Sequence, residues 1–391
     1  MDGICMVNGR VKYKIKDVFD LSAGGDVDRD HFSTYKTSEH RYPIYSNSLE
    51  NHGLYGYTSN PRYCANSVTI TGRGSVGHAE YREEAFDAII RLLVLEPKDN
   101  RVYSRFVADF INNCVDFPLE STGVPQLTAP QIMNIELELP QYGEQKEIAD
   151  LLADVNSLIE MLEKQISKKK ANKQGAMQEL LTGKKRLPGF SGKWVSGKWK
   201  DALDCFSSGA TPYRGNTGFY NGSIKWVSSG ELNYNRIMDT MEHISNEAKT
   251  KANLIIHPKG TFLMAITGLE AAGTRGSCAI LGTPATTNQS CMAIYGTNKM
   301  STEYLFHYYV QHGDELALQY CQGTKQQSYT ATIVKELPIY YPGDIAEQNA
   351  IASLLTDMDD DIKALEQKLE KYRQVKQGMM QQLLTGKIRL V

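Results

Sequence analysis

The chain carries nearly the same segment twice, and this repeat limits how the chain can fold more than any other feature. Residues 144–187, which begin "EQKEIADLL" and end "MQELLTGKKRL", align without gaps to residues 347–390, which begin "EQNAIASLL" and end "MQQLLTGKIRL". About half of the aligned positions are identical. Repeats of roughly 20–50 residues signal solenoids, but a whole domain's length separates these two copies. Each copy is therefore predicted to follow one globular domain.

Both copies are predicted to be long helices. In the second copy, apolar residues recur in steps of four and three, at Met358, Ile362, Leu365, Leu369, Tyr372 and Met379. The first copy shows the same steps at Val155, Ile159, Leu162 and Ile166. A stripe with a period of about 3.5 residues is the seam of a coiled coil, whereas a single amphipathic helix on a globular core is the alternative. Gly183 and Gly386, each after Leu-Leu-Thr, are typical of helix C-caps.

The order of segments predicts an α+β fold with a pseudo-twofold plan. Residues 1–143 form head 1, 144–187 spacer helix 1, 188–346 head 2 and 347–391 spacer helix 2. Both heads are predicted to be mixed α/β domains, because runs such as "SVTITG" and "GTFLMAIT" are typical of strands and each head offers one longer helix. Spacer helix 1 leads from head 1 to head 2. If spacer helix 2 pairs with it, the two helices form an antiparallel coiled coil between the heads.

Composition narrows the class of protein. Hydrophobic residues make up 41% and charged residues 23% of the 391 residues, and no apolar run approaches the roughly 18 residues of a membrane span. The start, "MDGICMVNGRVKYKIKD", lacks a hydrophobic signal segment. The seven cysteines show no CxxC pair, which predicts reduced thiols in the cytoplasm and no zinc site.

The net charge is −2, but positive charge is concentrated in spacer helix 1. The basic residues there are Lys164, Lys168, Lys169, Lys170, Lys173, Lys184, Lys185 and Arg186. Such a run is either a solvated helix face or a strip that binds phosphates.

Catalytic motifs are weak. "TGRGSVG" (residues 71–77) contains G-x-G-x-x-G, but "HAEYREEAFDAIIRLLVLE" follows, which predicts a strand and loop rather than the helix of a dinucleotide site. We therefore expect a tight β-turn there. "SNPRY" (residues 59–63) is close to the N-P-P-Y/F loop of amino-methyltransferases, yet Arg62 replaces the second proline and a turn is favoured. The sequence has no HExxH, GxSxG or P-loop motif, which favours binding over catalysis and gives no catalytic or metal-binding residue.

Each head has loops that mix Tyr, Arg, Asn, Gln, Ser and Thr, such as "GATPYRGNTGFYNG" and "GTKQQSYT". Arginine can pair with guanine, and asparagine or glutamine with adenine. Ordinary polar loop composition is the alternative for any single residue.

Taken together, these features resemble the specificity subunit of type I restriction–modification systems. The resemblance is carried by the paired "EQ…LLTGK" blocks, by "SSGATPYRG…IKWVSSGEL" at the start of head 2, by "TTNQSCMAI" and by "ITGRGSVG". It implies that each head is a target recognition domain that reads one half of an asymmetric, bipartite double-stranded DNA site. It also implies that the helices set the gap between the half-sites and bind two modification subunits.

The resemblance further implies that all chemistry resides on partners. The modification subunits would hold S-adenosylmethionine and methylate adenine, and restriction subunits would use ATP and Mg²⁺. No cofactor is expected on this chain, and the chain is not expected to be an enzyme.

Site residues are nominated separately for each head, because head 1 lacks the G-x-T-P and Lys-Trp-Val opening of head 2. The DNA-binding candidates are Tyr45, Ser46, Asn47, Arg73, Ser75, Thr211, Tyr213, Arg214, Lys225, Trp226, Ser228, Arg275, Gln326 and Gln327. The candidates for binding partner subunits are Leu152, Ile159, Leu162, Leu355, Ile362 and Leu365.

Three other functions remain compatible with the sequence. The chain could be a stand-alone DNA-binding regulator or architectural protein, which tight specific binding without a partner would favour. It could be a self-contained methyltransferase built on "TGRGSVG" and "SNPRY", which binding of S-adenosylmethionine would favour. It could also be a structural coiled-coil adaptor, which would bind no DNA even with its partners.

The repeat predicts that the helices act as a ruler. Insertion of one heptad into both helices lengthens them by about 10 Å, or roughly three base pairs of rise, and turns one head by roughly 100° around the duplex. We expect the gap between the half-sites to change while both half-site sequences stay the same, as read by methylation mapping. A change in the half-site sequences at an unchanged gap would contradict the ruler.

Overall fold

A computed structural model describes residues 6–7, 9–117, 126–270, 274–323 and 327–390. The chain divides into two compact units. Unit 1 comprises Met1–Lys164 and Gln367–Val391, and unit 2 comprises Gln165–Glu366. Each unit therefore holds one head, the start of the helix that follows that head and the end of the other helix. Within the described ranges, the model contains no helix that combines the length and the apolar character of a membrane span.

Head 1 is a mixed α/β domain, as predicted. Its strands are β1 (Met6–Val7), β2 (Arg10–Lys14), β3 (Phe19–Ala23), β4 (Phe32–Ser33), β5 (Tyr42–Tyr45), β6 (Leu54–Thr58), β7 (Ser67–Ile70), β8 (Ala79–Arg82), β9 (Asp87–Ala88), β10 (Leu93–Pro97) and β11 (Glu136–Leu139). Its helices are α1 (Ile15–Val18), α2 (Ser104–Cys114) and α3 (Ala129–Met133), with 3-10 turns at Arg29–His31 and Glu50–Gly53.

The strands of head 1 form three sheets. The orders are β1-β2-β11, β3-β10-β7-β8 and β4-β6-β5-β9. Helix α2 packs on β7 and β8. It buries Phe106, Val107, Phe110 and Ile111 against Val68 and Ile70 of β7 in one core. The loops that follow β5, β7 and β9 start from these sheets.

Head 2 is built in the same way. Its strands are β12 (Trp194–Lys198), β13 (Asp204–Ser208), β14 (Ile224–Val227), β15 (Asn235–Ile237), β16 (Glu242–Ile244), β17 (Phe262–Ala265), β18 (Cys278–Leu281), β19 (Thr286–Thr287), β20 (Cys291–Tyr295) and β21 (Pro338–Pro342). Its helices are α5 (Trp199–Ala202), α6 (Asn246–Lys251), α7 (Thr302–Tyr320) and α8 (Ala331–Glu336), with 3-10 turns at Thr217–Tyr220 and Ser229–Glu231. The long helices are α4 (Tyr142–Leu180), between the heads in sequence, and α9 (Ile345–Met379).

The two heads share one topology. The order β3-β10-β7-β8 in head 1 corresponds to β13-β20-β17-β18 in head 2, where β15 extends the sheet. The parallel pair β5 and β9 corresponds to the parallel pair β14 and β19. In each head, an early strand pairs antiparallel with the strand just before the long helix, β2 with β11 and β12 with β21. The predicted likeness in plan is thus confirmed.

The long helices run antiparallel within each unit. In unit 2, Lys169 pairs with Asp361 at 2.6 Å and Lys173 with Asp359 at 2.5 Å. Residue numbers therefore increase along one helix in the direction in which they decrease along the other. In unit 1, Arg373 pairs with Glu163 at 2.6 Å. Of the predicted apolar stripes, Leu162, Ile166, Ile362 and Leu369 are buried. Both long helices and their antiparallel course are confirmed.

The end of each repeat packs into the core of the unit in which the other repeat begins. Beyond α9, a π-helical turn (Met380–Leu384) places Leu383 and Leu384 in the core of unit 1, where Ile148, Ala149 and Leu152 lie. In unit 2, Met177, Leu180 and Leu181 lie in one core with Ile351, Ala352 and Leu355. Apolar burial of this kind contributes about 1.5–3 kcal/mol per large side chain, so neither core is complete without the other repeat.

The "Glu-Gln" that opens each repeat forms a clasp, with Glu144 and Gln145 in unit 1. Glu144 accepts from Arg389 at 2.9 Å. The buried Gln145 accepts from the amide of Tyr103 at 2.8 Å and donates to the carbonyl of Pro140 at 2.9 Å. These bonds tie the helix start to the head before it and to the end of the other repeat.

Unit 2 repeats the clasp with Glu347 and Gln348. Glu347 accepts from Arg186 at 2.5 and 2.6 Å. Gln348 accepts from the amide of Ser301 at 2.9 Å and donates to the carbonyl of Pro342 at 2.8 Å. Each arginine belongs to the "GK-x-R-L" end of the opposite repeat, so residues of one repeat find their partners in the other.

The predicted glycine caps are confirmed. Gly183 and Gly386 both have φ +72°, a left-handed conformation that other residues adopt at a cost. A Cβ at Gly183 would lie 3.2 Å from the ring of Trp194, and a Cβ at Gly386 would meet the guanidinium of Arg10. Arg10 in turn donates to the carbonyl of Leu383 at 2.8 Å. Close contact with β2 in unit 1 and with β12 in unit 2 therefore also requires glycine.

The clasp in unit 2 should contribute strongly to stability. Glu347 is 1% exposed and Arg186 is 26% exposed, so Arg186→Met leaves a buried carboxylate without its partner. We expect a loss of about 3 kcal/mol in the free energy of unfolding, measured in guanidinium chloride. The double variant Arg186→Met/Glu347→Leu should lose less than the single variant, because no buried charge remains.

The matched control is Lys185→Met, which removes the neighbouring charge from an exposed pair with Glu179. It should change stability by no more than about 0.5 kcal/mol. If Arg186→Met costs no more than this control, the clasp does not hold the unit together.

Candidate nucleic-acid interface

In head 1, the structure brings two of the nominated segments together through Asn47. Its side-chain oxygen accepts from the amide of Gly72 at 2.8 Å, and its side-chain nitrogen donates to the carbonyl of Ile90. Asn47 follows β5, Gly72 follows β7 and Ile90 follows β9, so a single amide joins three turns. Both polar groups of Asn47 are used inside the head, which makes this residue an organiser of the loops.

The two residues before Asn47 also stabilise the loop. The ring of Tyr45 lies under the guanidinium of Arg82, with 3.6 Å between the guanidinium carbon and the ring centroid. Burial raises the pKa of Tyr45, and the positive charge of Arg82 opposes that rise. Ser46 is buried, and its hydroxyl donates to the carbonyl of Gly53 at 3.3 Å. Neither side chain is openly displayed.

The "TGRGSVG" segment is the turn of a β-hairpin. It joins β7 to β8, which pair antiparallel, so the helix of a dinucleotide site does not follow it. Gly77 has φ +90°, and a Cβ there would lie 2.6 Å from the ring of Phe117. The turn exposes Arg73 and Ser75, and Arg73 donates to Gln126 at 3.2 Å. The predicted tight turn is confirmed.

The "SNPRY" segment is also a structural turn, as predicted. Arg62 donates to both carboxylate oxygens of Asp87, at 2.5 and 3.0 Å. The hydrogen bond that Arg62 donates to Asp87 raises the pKa of Arg62, and burial opposes this rise. Arg62 therefore ties this turn to the start of β9.

In head 2, Arg214 is held in one orientation by three neighbours. It makes a two-pronged ion pair with Glu242, at 2.5 and 2.8 Å. Its guanidinium carbon lies 4.3 Å from the ring centroid of Tyr220 and 5.2 Å from that of Trp226. Trp226 is buried and donates to the carbonyl of Ala210 at 3.0 Å. Trp226 is therefore a platform beneath Arg214.

Thr211 and Tyr213 lie on the loop that precedes Arg214. Both residues are exposed. The hydroxyl of Thr211 donates to the side-chain oxygen of Gln289 at 2.5 Å, which ties this loop to the turn after β19. With Arg214, these residues form the most open group of nominated side chains in head 2.

The other nominated residues of head 2 are engaged within the head. Lys225 donates to the hydroxyl of Thr283 at 3.1 Å, and Ser228 caps a 3-10 turn through Glu231 at 2.9 Å. Arg275 pairs with Asp314 at 2.8 Å.

Arg275 and Gln327 are brought together on a second loop group. Arg275 donates to the backbone carbonyl of Glu270 at 3.4 Å. The amide of Gln327 donates to the carboxylate of the same glutamate at 3.3 Å. Gln326 lies outside the described residues.

The basic run of spacer helix 1 is largely neutralised. Lys169, Lys170 and Lys173 pair with carboxylates of α9, and Arg186 pairs with Glu347. Ion pairs with the second helix therefore engage four of the eight basic residues, and binding of phosphates by this run stays a prediction.

The nominated partner-binding residues lie inward. Leu152, Leu162, Leu355 and Ile362 are buried, and Ile159 and Leu365 are half-buried. Leu152 and Leu355 lie in the cores of their own units, whereas Ile159 and Leu365 keep part of their surface exposed. The equivalent leucines one residue earlier in each repeat, Leu151 and Leu354, are 38% and 39% exposed.

In the part of the chain that the structure describes, no group of three or more His, Cys, Asp and Glu residues could hold a metal ion. The six described cysteines are free thiols, and Cys5 lies outside the described residues.

A family model for the "Type I restriction modification DNA specificity domain" matches this chain twice, over residues 9–169 and 192–373. The chain belongs to this family. Each match takes in one head and much of the long helix that follows it. The resemblance drawn from the repeated blocks is thus confirmed at the level of the family.

Individual relatives agree with the family. The chain is 25% identical over 289 residues to the type I restriction enzyme MjaVIII specificity subunit of Methanocaldococcus jannaschii. This alignment covers 69% of this chain and 66% of that protein. The chain is 27% identical over 158 residues to a putative type I specificity subunit of Mycoplasma pneumoniae, which covers 40% of this chain and 43% of that protein. The matched segments span less than two thirds of either relative.

Solved structures share the fold. The crystal structure of a type I restriction–modification system S subunit from M. genitalium has a TM-score of 0.65 at 12% identity, and covers 98% of this chain and 97% of that chain. A chain from a structure of the type I R-M system has a TM-score of 0.52 at 13% identity. At these identities the likeness concerns the fold alone.

Sequence reasoning missed several residues of the family's loops. Arg82 and Glu242, which orient Tyr45 and Arg214, belong to strands and carry no motif. Ile90 and Arg91 form an exposed turn that nothing in their residue types marks. Only the contact between loops that are distant in sequence identifies them.

Asn47 should be essential for the order of the three turns in head 1. Asn47→Ala removes two hydrogen bonds, so we expect head 1 to lose about 1–2 kcal/mol of stability and the amide of Gly72 to exchange faster with solvent. Hydrogen exchange with mass spectrometry or NMR measures both effects. Asn60→Ala, at an exposed asparagine of the same head, is the control and should leave exchange at Gly72 unchanged. Unchanged exchange in Asn47→Ala would refute the organising role.

Proposed function

We propose that this chain is the DNA-binding specificity subunit of a type I restriction–modification complex. Each head reads one half of an asymmetric, bipartite site in double-stranded DNA. The single observation that carries the proposal is that the DNA specificity domain matches twice, once for each head with its helix. Two heads with a common topology and different loops suit two half-sites with different sequences.

The exposed loop residues supply suitable chemistry. Arg73 and Ser75 lie on the hairpin turn of head 1, and Tyr213 and Arg214 lie on the opening loop of head 2. Arginine forks match guanine edges and phosphates, and serine and tyrosine hydroxyls contact phosphates. The pair with Glu242 supports readout by Arg214, because a pre-oriented fork loses less conformational entropy on binding.

The chain itself does no chemistry in this proposal. Methylation of adenine falls to two modification subunits that hold S-adenosylmethionine, and cleavage falls to restriction subunits that use ATP and Mg²⁺. The relatives that match are specificity subunits of restriction enzymes, which disfavours a stand-alone regulator. The hairpin context of "TGRGSVG" disfavours a self-contained methyltransferase.

Methylation mapping of the host genome, with and without this gene, tests the proposal. We expect a bipartite adenine motif to vanish when the gene is deleted and to return when the gene is restored. Persistence of every methylated motif in the deletion strain would refute the proposed function. Tight specific DNA binding by the purified chain alone would favour the regulator instead.

Modification subunits are proposed to dock on the exposed leucines of the two repeats, Leu151 and Leu354. These leucines occupy equivalent positions in the two repeats and are almost equally exposed, at 38% and 39%. Two equivalent apolar positions suit two copies of one partner. The buried stripe of each helix is already used inside its unit.

Charge placed at one leucine should remove one modification subunit. Leu151→Glu and Leu354→Glu are each expected to leave a complex with a single modification subunit, and the double variant none, because a desolvated carboxylate disrupts the contact. Native mass spectrometry of the tagged complex measures the stoichiometry. Leu318→Glu, at an exposed leucine of α7, is the matched control. Two subunits retained in the double variant would contradict this docking site.

A further inference from the structure

Head 1 contains two consecutive non-glycine residues in the left-handed region. Ile90 has φ 55° and Arg91 has φ 56°. This conformation is rare for any side chain other than glycine and is disfavoured most for a β-branched residue such as isoleucine. Strain of this kind persists only where the surroundings impose it, and it clusters at functional sites.

Hydrogen bonds from neighbouring segments impose the conformation. The amide of Ile90 donates to the carbonyl of Gly25 at 2.9 Å, and the amide of Arg91 donates to the carbonyl of Gly24 at 3.0 Å. The carbonyl of Ile90 accepts from the side chain of Asn47. The backbone of the turn is therefore fixed on both sides, while its side chains are left outside.

The side chains of Ile90 and Arg91 are both exposed. Ile90 is 54% exposed, which is unusual for an apolar residue held in a strained turn. Arg91 is exposed, and its guanidinium makes no hydrogen bond or ion pair with any residue that the structure describes. Glycine would adopt this backbone without strain, so the backbone conformation does not account for the presence of isoleucine and arginine here.

The turn lies among the other exposed loop residues of head 1. A Cβ at Gly72 would lie 3.4 Å from the carbonyl oxygen of Arg91, so the hairpin turn that carries Arg73 is adjacent. Asn47 bonds to both turns. Two guanidinium groups, those of Arg73 and Arg91, therefore arise from neighbouring turns on one rigid support.

Head 2 has a segment that corresponds to the Ile90–Arg91 turn, directly after β19. The amide of Asn288 donates to the carbonyl of Val227 at 2.8 Å, just as the amide of Ile89 donates to that of Tyr45 at 2.9 Å. The next residue in head 2 is Gln289, which is exposed. Both heads thus display a side chain after the paired strands, and the side chains differ, as expected of a position that selects sequence.

We propose that the Ile90–Arg91 turn is a base-reading element of head 1. Arg91 donates two hydrogen bonds to O6 and N7 of a guanine in the major groove, and Ile90 packs against the methyl group of a neighbouring thymine. Arginine is the commonest partner of guanine, and apolar side chains contact the thymine methyl. This inference rests on the proposed function and adds to it two residues and the base that each one reads.

Glycine variants separate readout from folding. Arg91→Gly and Ile90→Gly keep the left-handed backbone and remove the side chains, so each variant should melt at or above the temperature of the parent. Arg91→Lys keeps the charge but lacks the planar fork. Each variant replaces the gene in the host, and genome methylation is mapped at every site.

We expect Arg91→Gly and Arg91→Lys to relax one guanine position in the head 1 half-site. Methylation of sites with another base there should rise about 10-fold or more relative to the parent, while the head 2 half-site stays unchanged. Ile90→Gly should relax the adjacent thymine by a smaller factor. Arg41→Ala, at an exposed arginine of head 1 that stacks on Tyr42, is the control and should leave the motif intact.

Three results would overturn the inference. One is an unchanged motif in the arginine variants. The second is a uniform loss of methylation at all sites in a folded Arg91→Gly variant, which would indicate a phosphate contact. The third is a glycine variant that melts well below the parent. The parent strain must show the bipartite motif; its absence there would instead count against the proposed function.

Discussion

The ion pairs of Glu144 with Arg389 and of Glu347 with Arg186 explain why the repeat exists. Each glutamate opens one repeat, and each arginine closes the other. In the same units, the leucines near the end of one repeat lie in one core with the apolar residues at the start of the other repeat. Because the characteristic residues of each copy contact residues of the other copy, the sequences of the two copies are constrained together. A substitution in one copy leaves a buried charge or a cavity in the unit that the other copy begins.

The clasps lie apart from the exposed loops of the heads, so the sequences of those loops can differ without a change in the clasp residues. In both heads, the glutamine of the clasp holds the long helix against the last strand, whereas the exposed loops follow the strands of the other sheets. Head 1 presents Arg73 beside the strained turn at Ile90, and head 2 presents Arg214 on its aromatic platform. Because stability and recognition use different parts of each unit, the loops can take different side chains while the helix ends stay nearly identical.

Much of this fold could be predicted from sequence, since the relevant signals are local. The apolar period marked both helices, the Leu-Leu-Thr-Gly blocks marked their ends, and runs such as "GTFLMAIT" marked strands. The ion pairs of the basic run could not be predicted, because its acidic partners, such as Asp361 for Lys169, lie far away in the sequence. Ser46 and Trp226 were nominated by residue type, which does not report burial. The turn at Ile90 was missed because no glycine or asparagine signals its left-handed backbone.

On the proposed function, each head reads its own half-site and is held in its own unit by its own clasp. Replacement of residues 188–346 by the corresponding head of another family member, with both repeats retained, tests this claim most directly. Methylation mapping in the host should then show a new sequence in one half-site, with the other half-site and the gap unchanged. A change in both half-sites, or in the gap, would contradict the account.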